Sequence, residues 1–223
     1  SLNTVENYRR QLDVFLRFNA PASVEDISVD TIRAYKLFLR RQTSRQKGQN
    51  LKSTTINVYL IALRGFLRYL AVQEALEVLP PQKIELLKTG DRPIKVLTDE
   101  QVEELLAAPK ESKKPQATRD RAILELLFST GARVSELTRL NRDHVNFKTR
   151  EMSIFGKRRK IRVVFLTDAA ADALSEYLKT RKDACKPLFL RTAGPKTDVI
   201  ADAGEGLRLT PRSIWNIVHH YAL

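Results

Sequence analysis

The chain has 223 residues, 43% of them hydrophobic, which is enough for packed cores and long enough for two domains. Its 39 lysines and arginines outnumber 26 acidic residues, and the net charge of +13 favours a polyanionic partner: nucleic acid first, an acidic membrane surface second. The single cysteine, Cys185, excludes an internal disulfide framework and fits a reducing compartment. The sequence shows no secretory signal and no run of about 18 apolar residues, so we expect a soluble, cytoplasmic protein without membrane association.

The first 82 residues are predicted to form an all-helical domain. Apolar side chains recur there at three- and four-residue steps, which is typical of amphipathic helices, over three stretches: Val5 to Phe18, Ile32 to Leu39 and Ile56 to Leu70. Asn3 or Thr4 is expected to cap the first helix, and Ser53 or Thr54 the third. Between the second and third helices, residues 42–50 contain no apolar side chain and predict an exposed, basic loop.

The third helix has a polar face as well as an apolar one. Its polar side chains include two arginines, an asparagine and the lysine just before the helix: Lys52, Asn57, Arg64 and Arg68. A basic and amide face of this kind is suited to a DNA groove, where such side chains hydrogen-bond to base edges and phosphates. The solvated side of an ordinary core helix has the same composition, so both interpretations stay open.

A linker is predicted at residues 83–96, where prolines, charges and Gly90 replace hydrophobic periodicity. The second domain then covers residues 97–223. It is expected to begin with a helix, because Thr98 and Gln101 stand at the two positions of a capping box.

The stretch from Thr130 to Leu137 follows a run of apolar residues and is the most informative part of the second domain. We expect the preceding helix to end at Gly131, because glycine tolerates the left-handed conformation that closes helices. Arg133 then starts a new short helix and presents a planar, permanently charged set of donors that matches phosphate oxygens. An ordinary helical corner with a surface arginine fits the same residues. Glu136, one turn later, is placed either to orient Arg133 or to pair with Arg139.

Two short β-rich runs, 152–155 and 161–166, predict a hairpin whose tip is almost entirely cationic: Gly156-Lys157-Arg158-Arg159-Lys160. Such a cluster of like charges usually marks a solvated turn. On a hairpin the same tip can also reach a phosphate, and lysine has a proton to give where arginine does not. Further along the chain, we expect a helix from Ala169 to Arg181, a short strand at 187–190 and a last helix capped by Thr210.

Together and in order, these segments resemble the tyrosine recombinases of the Xer type, which are close relatives of phage integrases. The resemblance covers nearly all of the chain, from its Ser1-Leu2-Asn3-Thr4 start to the helix after Thr210. Its most specific parts are Thr130-Gly131-Ala132-Arg133-Val134-Ser135-Glu136-Leu137 and the Gly156-Lys157 turn, which follows Arg133 at the spacing of the family.

The resemblance implies a mainly α-helical protein with a small β-hairpin or sheet, in which a SAM-like helical core-binding domain and a catalytic domain form a C-shaped clamp around DNA. A tyrosine attacks the scissile phosphate to form a 3′-phosphotyrosyl bond, arginines and histidines hold the phosphoryl group, and a hairpin lysine protonates the departing 5′ oxygen. No metal or other cofactor takes part. By resemblance, Arg133 is the first catalytic arginine, Glu136 its supporting carboxylate and Lys157 the general acid, with Lys160 as the alternative.

The resemblance also implies the partners, which are double-stranded DNA with inverted-repeat arms and further recombinase subunits in a synaptic tetramer at the nucleoid. We interpret the following basic and amide side chains as candidate DNA contacts: Lys52, Asn57, Arg64, Arg68, Arg158, Arg159, Lys160 and Arg212. The hairpin departs from the family pattern, because Arg158 replaces a glycine, Ile161 an acidic residue and Phe165 a proline. The geometry of the turn, and with it the reach of Lys157, is therefore left open by the sequence, which is why Lys160 is the alternative.

Two parts of the family pattern are expected outside the chain: a first helix before Ser1 and, after Leu223, the His-x-x-Arg box, a later His or Trp and the tyrosine nucleophile. Tyr221 stands before the position of that box, so we interpret it as a packing residue. The chain is therefore expected to be a monomeric piece of a longer recombinase that binds DNA without cutting it. Two alternatives are a catalytically inactive DNA-binding regulator with the same fold, and a basic helical protein for RNA or membranes. Chromosome-dimer resolution, integration and inversion are equally compatible with the sequence.

Incubating the 223-residue chain with a nicked suicide DNA substrate is expected to yield no covalent adduct, because the roles that the resemblance implies for Arg133 and Lys157, phosphate binding and proton donation, supply no nucleophile. Denaturing gel electrophoresis measures the adduct, and a native gel with the same samples checks that DNA is bound. A protein–DNA band that survives denaturation would contradict this expectation.

Overall fold

The computed structural model describes residues 2–20, 23–43, 48–91, 96–156, 160–192 and 203–222. The middle of the predicted basic loop, residues 44–47, lies outside these ranges. The chain divides into two compact units, Ser1–Ile94 and Lys95–Leu223, and each unit has its own hydrophobic core. The architecture is mainly α-helical with a small antiparallel sheet in the second unit, as the sequence predicts.

The described part of the first unit contains three helices: α1 (Leu2–Phe18), α2 (Val29–Arg41) and α3 (Ser53–Gln73). Their apolar faces meet in one core. Helix α3 contributes four side chains larger than alanine that are at most 1% exposed: Ile56, Leu60, Leu63 and Leu67. The other two helices contribute Phe15, Ile32, Tyr35 and Leu39. All of these belong to the apolar faces expected from the sequence, so the three predicted helices are confirmed.

Two of the expected helix caps are wrong. Helix α1 already begins at Leu2, so neither residue expected as its cap precedes the helix. Helix α3 begins after Lys52, whose side chain makes no capping hydrogen bond, and Ser53 and Thr54 lie inside its first turn. Helix α2, by contrast, is capped by Ser28, whose hydroxyl accepts a backbone N–H of the first turn.

Residues 84–87 belong to the first unit. Ile84 is fully buried in the core of that unit, and Leu87 packs against the same core. The side-chain amide of Asn57 fixes this segment, because it donates to the carbonyl oxygen of Leu87 at 2.9 Å and accepts from the Leu87 N–H at 2.8 Å. The predicted linker at 83–96 therefore starts too early, since its first apolar residues enter a core; residues 92–95 lie outside the described part of the chain.

Among the described helices, α3 alone is long and apolar enough to cross a membrane, judged by length and composition only. Its buried side chains, from Ile56 to Leu70, lie in the core of the first unit. The core helix of a soluble protein passes the same test. Packing within the unit therefore accounts for these buried side chains of α3.

The second unit is built around helix α5, which packs against α4, α7 and α8. Its described helices are α4 (Asp99–Glu111), α5 (Ala117–Thr130), α6 (Val134–Leu137), α7 (Asp168–Thr180) and α8 (Pro211–Tyr221). Thr98 and Gln101 cap α4 through a capping box. Thr210 caps α8 by accepting the backbone N–H of Ser213 at 3.1 Å. Both caps are the ones that the sequence predicts.

A small antiparallel sheet completes the second unit. Its described strands, in spatial order, are β1 (Val145–Asn146), β2 (Glu151–Phe155) and β3 (Ile161–Phe165). The predicted hairpin is confirmed as β2 and β3, with Ile154 opposite Arg162. Strand β2 turns Met152 and Ile154 into the core. The outer face of β3 exposes three side chains by between 55% and 68%: Ile161, Val163 and Phe165.

The strand predicted at 187–190 is wrong. Pro187 and Leu190 make isolated β-bridges to other parts of the chain and belong to no strand. The Arg181 guanidinium binds the carbonyl oxygens of Pro187 and Leu188, at 2.7 and 2.8 Å. These backbone acceptors are therefore satisfied by a side chain, which is why the segment needs no neighbouring strand.

Replacing Ala75 with glycine is expected to stabilise the first unit by about 1 kcal/mol, because Ala75 has a φ of 53°, a left-handed conformation that glycine adopts without steric cost. Ala75 lies just after α3, where the N–H of Leu76 turns back to the carbonyl oxygen of Leu70. Urea denaturation measures the change in unfolding free energy. The matched control is Ala71→Gly inside α3, which should destabilise by about 0.5–1 kcal/mol. Equal losses for both variants would contradict the assignment.

Candidate active site

Helix α5 ends in a tightly held corner that presents Arg133. Gly131 takes the left-handed conformation, with a φ of 57°, and its N–H bonds to the carbonyl oxygen of Leu127 at 3.0 Å. The Thr130 hydroxyl donates to Leu126 O at 2.6 Å and accepts the Ala132 N–H at 3.2 Å. The predicted end of the helix at Gly131 is confirmed, and the corner fixes the backbone from which the arginine departs.

Arg133 stands at the N-terminus of α6 and is joined to Glu136. One carboxylate oxygen of Glu136 accepts the Arg133 backbone N–H at 3.0 Å, and the other accepts its guanidinium at 2.9 Å. The Arg133 side chain is 72% exposed, whereas that of Glu136 is 6% exposed. A buried anchor thus holds a cation that faces solvent. Of the two pairings that the sequence allows for Glu136, the described contacts contain the one with Arg133.

A third residue completes the cluster, and the sequence did not predict it. Arg162 of β3 donates to Glu136 through both terminal nitrogens, at 2.9 and 3.3 Å. Arg162 and Val164 share the inner face of β3, and the apolar residues on its other face are exposed. The side chains of β3 do alternate between its two faces. Judged by hydrophobicity alone, however, this alternation would place Ile161 and Val163 on the inner face and Arg162 on the outer face.

The charges of this cluster favour an anionic ligand. Burial acts to raise the pKa of Glu136, but hydrogen bonds from the Arg133 N–H, the Arg133 guanidinium and Arg162 outweigh it, so that the pKa is lowered. Glu136 is therefore a carboxylate at neutral pH, and two arginines against one carboxylate leave a net positive charge. Guanidinium donors held in this way are suited to bind phosphate oxygens.

The β2–β3 hairpin begins directly beside this cluster. A Cβ placed on Gly156 would lie 3.8 Å from a carboxylate oxygen of Glu136, and the Gly156 N–H bonds to the carbonyl oxygen of Lys160 at 2.8 Å. Lys160 is exposed. Lys157 and the candidate DNA contacts Arg158 and Arg159 lie outside the described residues. Within its described residues, the structure thus brings the start of the hairpin tip to the Arg133 site.

A further arginine, the half-buried Arg208, supports the segment that follows α6. The Arg208 guanidinium donates to the carbonyl oxygens of Thr138 and Leu140, at 3.0 and 2.9 Å, and to the side chain of Asn141 at 2.7 Å. The sequence analysis did not predict this role for Arg208. Its contacts hold the C-terminal side of the Arg133 helix against the body of the second unit.

The candidate DNA contacts of the first unit differ in their surroundings. Lys52 is exposed, and Arg64 and Arg68 line a shallow groove of about 690 Å3 together with apolar side chains. Asn57 is half-buried and its amide is already bonded to Leu87. The structure therefore gives the Asn57 amide a structural role in the first unit, and its interpretation as a DNA contact stays a prediction.

Helix α8 carries the last candidate contact. The Arg212 guanidinium lies over the Trp215 ring at 4.4 Å, and Trp215 stacks on His219 with ring centroids 4.7 Å apart. The Tyr221 hydroxyl points elsewhere, towards a carboxylate oxygen of Asp120 at 3.4 Å, and burial raises its pKa. These contacts agree with a packing role for Tyr221. Within the described residues, no group of three His, Cys, Asp or Glu side chains is placed to hold a metal ion.

Solved structures with a similar fold are integrases. The Tn1549 transposon integrase in complex with circular intermediate DNA matches 99% of this chain and 72% of its own, with a TM-score of 0.69 and 18% identity. A lambda integrase dimer bound to a COC′ core site matches 100% of this chain and 74% of its own, with a TM-score of 0.68 and 15% identity. The chain therefore shares the fold of these integrases.

Sequence comparison establishes the family. Residues 95–223 match the phage integrase family, and residues 1–74 match its N-terminal SAM-like domain. The chain is 32% identical to tyrosine recombinase XerC of Roseiflexus castenholzii, over 100% of its own length and 68% of the relative's. It is 37% identical to tyrosine recombinase XerC of Actinobacillus succinogenes, over 95% and 66%. The chain belongs to the phage integrase family of tyrosine recombinases and spans about two thirds of the length of these relatives.

Replacing Glu136 with glutamine is expected to lower the unfolding free energy at neutral pH by about 1–3 kcal/mol, because it leaves two arginines without their buried acceptor. The pKa of Glu136 is lowered on folding, so its stabilising effect is present above its ordinary pKa of 4.5 and is lost as the pH falls below that value. Urea denaturation at a series of pH values should therefore show the difference from wild type shrinking in acid.

The matched control for this measurement is Glu176→Gln, which removes an exposed carboxylate paired with Arg121 at 2.8 Å. Its effect should stay below about 1 kcal/mol. A Glu136→Gln difference that is constant from neutral to acidic pH would show that the charge of Glu136 is not what stabilises the corner.

Proposed function

We propose that this chain binds DNA and holds a scissile phosphate in site-specific recombination by a tyrosine recombinase. By family it is a tyrosine recombinase, and the observation that supports the specific role is the Arg133 corner. There, a solvent-facing guanidinium is held on a buried carboxylate, next to the start of a cationic hairpin. An arginine held in this way is ready to bind a phosphate with little reorganisation.

The proposed chemistry assigns a separate task to each side chain. Arg133 donates to the non-bridging oxygens of the scissile phosphate and stabilises the charge that grows on them in the transition state. Glu136 orients Arg133 and stays ionised. Lys157, on the hairpin tip, is proposed to give its proton to the departing 5′ oxygen, with Lys160 as the alternative. The whole protein would attack through a tyrosine, and the 3′-phosphotyrosyl bond would conserve the energy needed for resealing without a nucleotide cofactor.

The proposed partner is duplex DNA with inverted-repeat arms, bound together with further recombinase subunits at the bacterial nucleoid. The net charge of +13 supports a polyanionic partner. The solved integrases of similar fold are complexes with DNA, and one of them is a dimer on its core site. Lys52, Arg64 and Arg68 of the first unit and Arg212 of the second are the proposed contacts to the duplex.

Replacing Arg133 with alanine is expected to weaken binding to a fluorescein-labelled duplex with inverted repeats by about tenfold, and to lower the slope of log affinity against log salt by about one. Fluorescence anisotropy over a range of salt concentrations measures both quantities. The expected change is specific to a phosphate contact, because a general loss of folding would not alter the salt slope by a single charge.

The matched control is Arg150→Gln, which removes an arginine paired with Asp168 beside the same sheet. It should leave both the affinity and the salt slope near their wild-type values. If Arg150→Gln weakens binding as much as Arg133→Ala, the effect belongs to net charge and the proposed phosphate site is wrong. If the wild-type chain prefers RNA or anionic vesicles to the duplex, the proposed partner is wrong.

A further inference from the structure

The two arginines on Glu136 use its carboxylate unequally. Arg162 donates through both terminal nitrogens and so grips the carboxylate as a two-pronged fork, at 2.9 and 3.3 Å. Arg133 binds through one terminal nitrogen, at 2.9 Å. The contacts of the described residues engage neither the second terminal nitrogen of Arg133 nor its Nε. Those remaining donors are the ones that a phosphate oxygen requires.

Arg133 and Arg162 also differ in how far their side chains are exposed to solvent. Arg133 is 72% exposed, and Arg162 is 40% exposed. Arg162 donates hydrogen bonds to both carboxylate oxygens of Glu136. Arg133 therefore binds this carboxylate through one terminal nitrogen and not through both. The more buried arginine therefore keeps the more exposed one available.

Glu136 also connects the arginine corner to the hairpin. Its carboxylate lies beside Gly156, where β2 leads into the hairpin tip, and it is bonded to Arg162, where β3 leads out of it. Strands β2 and β3 are paired at this level, since Phe155 lies opposite Ile161 and Ile154 opposite Arg162. One carboxylate thus binds Arg133 at the start of its own helix and Arg162 of β3, and it lies beside the end of β2.

We propose that Arg162 is a positioning residue, which acts through Glu136 to hold the Arg133 guanidinium and the base of the β2–β3 hairpin in one geometry. Arg162 need not touch DNA for this role. Without its fork, Arg133 closes both terminal nitrogens onto Glu136 and withdraws from the phosphate, and the hairpin loses its link to the corner. The effect on DNA rests on the proposed function, whereas the effect on Glu136 does not.

The first test measures the titration of the Glu136 carboxyl carbon by NMR in wild type, Arg162→Gln, Arg162→Lys and the control Arg150→Gln. Arg162→Gln should raise the pKa of Glu136, because a charged fork that stabilises the carboxylate is gone. Arg162→Lys keeps the positive charge but loses the two-pronged hydrogen bonding. The pKa of Glu136 in this variant should therefore lie between its values in wild type and in Arg162→Gln. Arg150→Gln removes the same charge from the far end of β2 and should leave the pKa unchanged.

The second test compares duplex binding by Arg133→Ala, Arg162→Gln and the double variant. If Arg162 acts through Glu136 on Arg133, its loss should weaken binding by up to about tenfold, and the double variant should bind no more weakly than Arg133→Ala alone. Thermal unfolding of each variant checks that it is folded. Hydrogen exchange of the Gly156 amide should become faster in Arg162→Gln and stay at the wild-type rate in Arg133→Ala.

Two outcomes would overturn the inference. An unchanged Glu136 titration in folded Arg162→Gln would show that Arg162 does not hold the carboxylate. Losses that add in the double variant would show that Arg162 contacts the phosphate independently. If wild type does not bind the duplex at all, the proposed function fails, and the Glu136 titration and the Gly156 exchange rate still decide the positioning role.

Discussion

The second unit depends on a carboxylate that is almost completely removed from solvent. Burying Glu136 without partners would be costly, and the chain offsets that cost with a backbone N–H and two guanidinium groups. These three donors come from the start of α6 and from β3. Because the buried carboxylate needs these donors, it links the start of α6 to β3. The exposed position of Arg133 is a consequence of this link.

The first unit is organised by apolar packing. Helix α3 supplies most of its core, and the side chains left on the opposite face include Arg64 and Arg68. Two different principles thus produce basic surfaces in one chain. In the first unit, Arg64 and Arg68 lie on the face of α3 that does not enter the core. In the second unit, Arg133 is held by one partner, the Glu136 carboxylate.

The sequence predicted the features that depend on short-range patterns. Helical periodicity located α1, α2 and α3, the capping box located α4, and glycine located the end of α5. It also placed Arg133 and Glu136 within one turn. Long-range side-chain contacts could not be predicted in this way, because no local pattern shows where a distant partner lies. Arg162 and Arg208 are examples, since each binds groups more than twenty residues away in the chain.

The outer face of β3 shows why hydrophobic alternation failed at the site. In a sheet packed on one side, alternation normally points apolar residues to the core. Here the inner face must deliver Arg162 to Glu136, so the apolar Ile161 and Val163 face outwards. The strand is therefore oriented by a charged contact, and the usual rule gives the opposite result.

The amide of Asn57 bears on any redesign of target preference. Asparagine on a basic helix suggests a group that reads adenine, yet this amide acts as the hydrogen-bonding partner of one backbone residue, Leu87. Aspartate at this position would lose the donor, and glutamine would move the amide outward by one methylene, so the contact with the backbone of Leu87 already constrains this residue. Libraries built on the proposed DNA contacts Arg64, Arg68 and Arg212 should therefore keep Asn57 constant, so that the first unit stays folded.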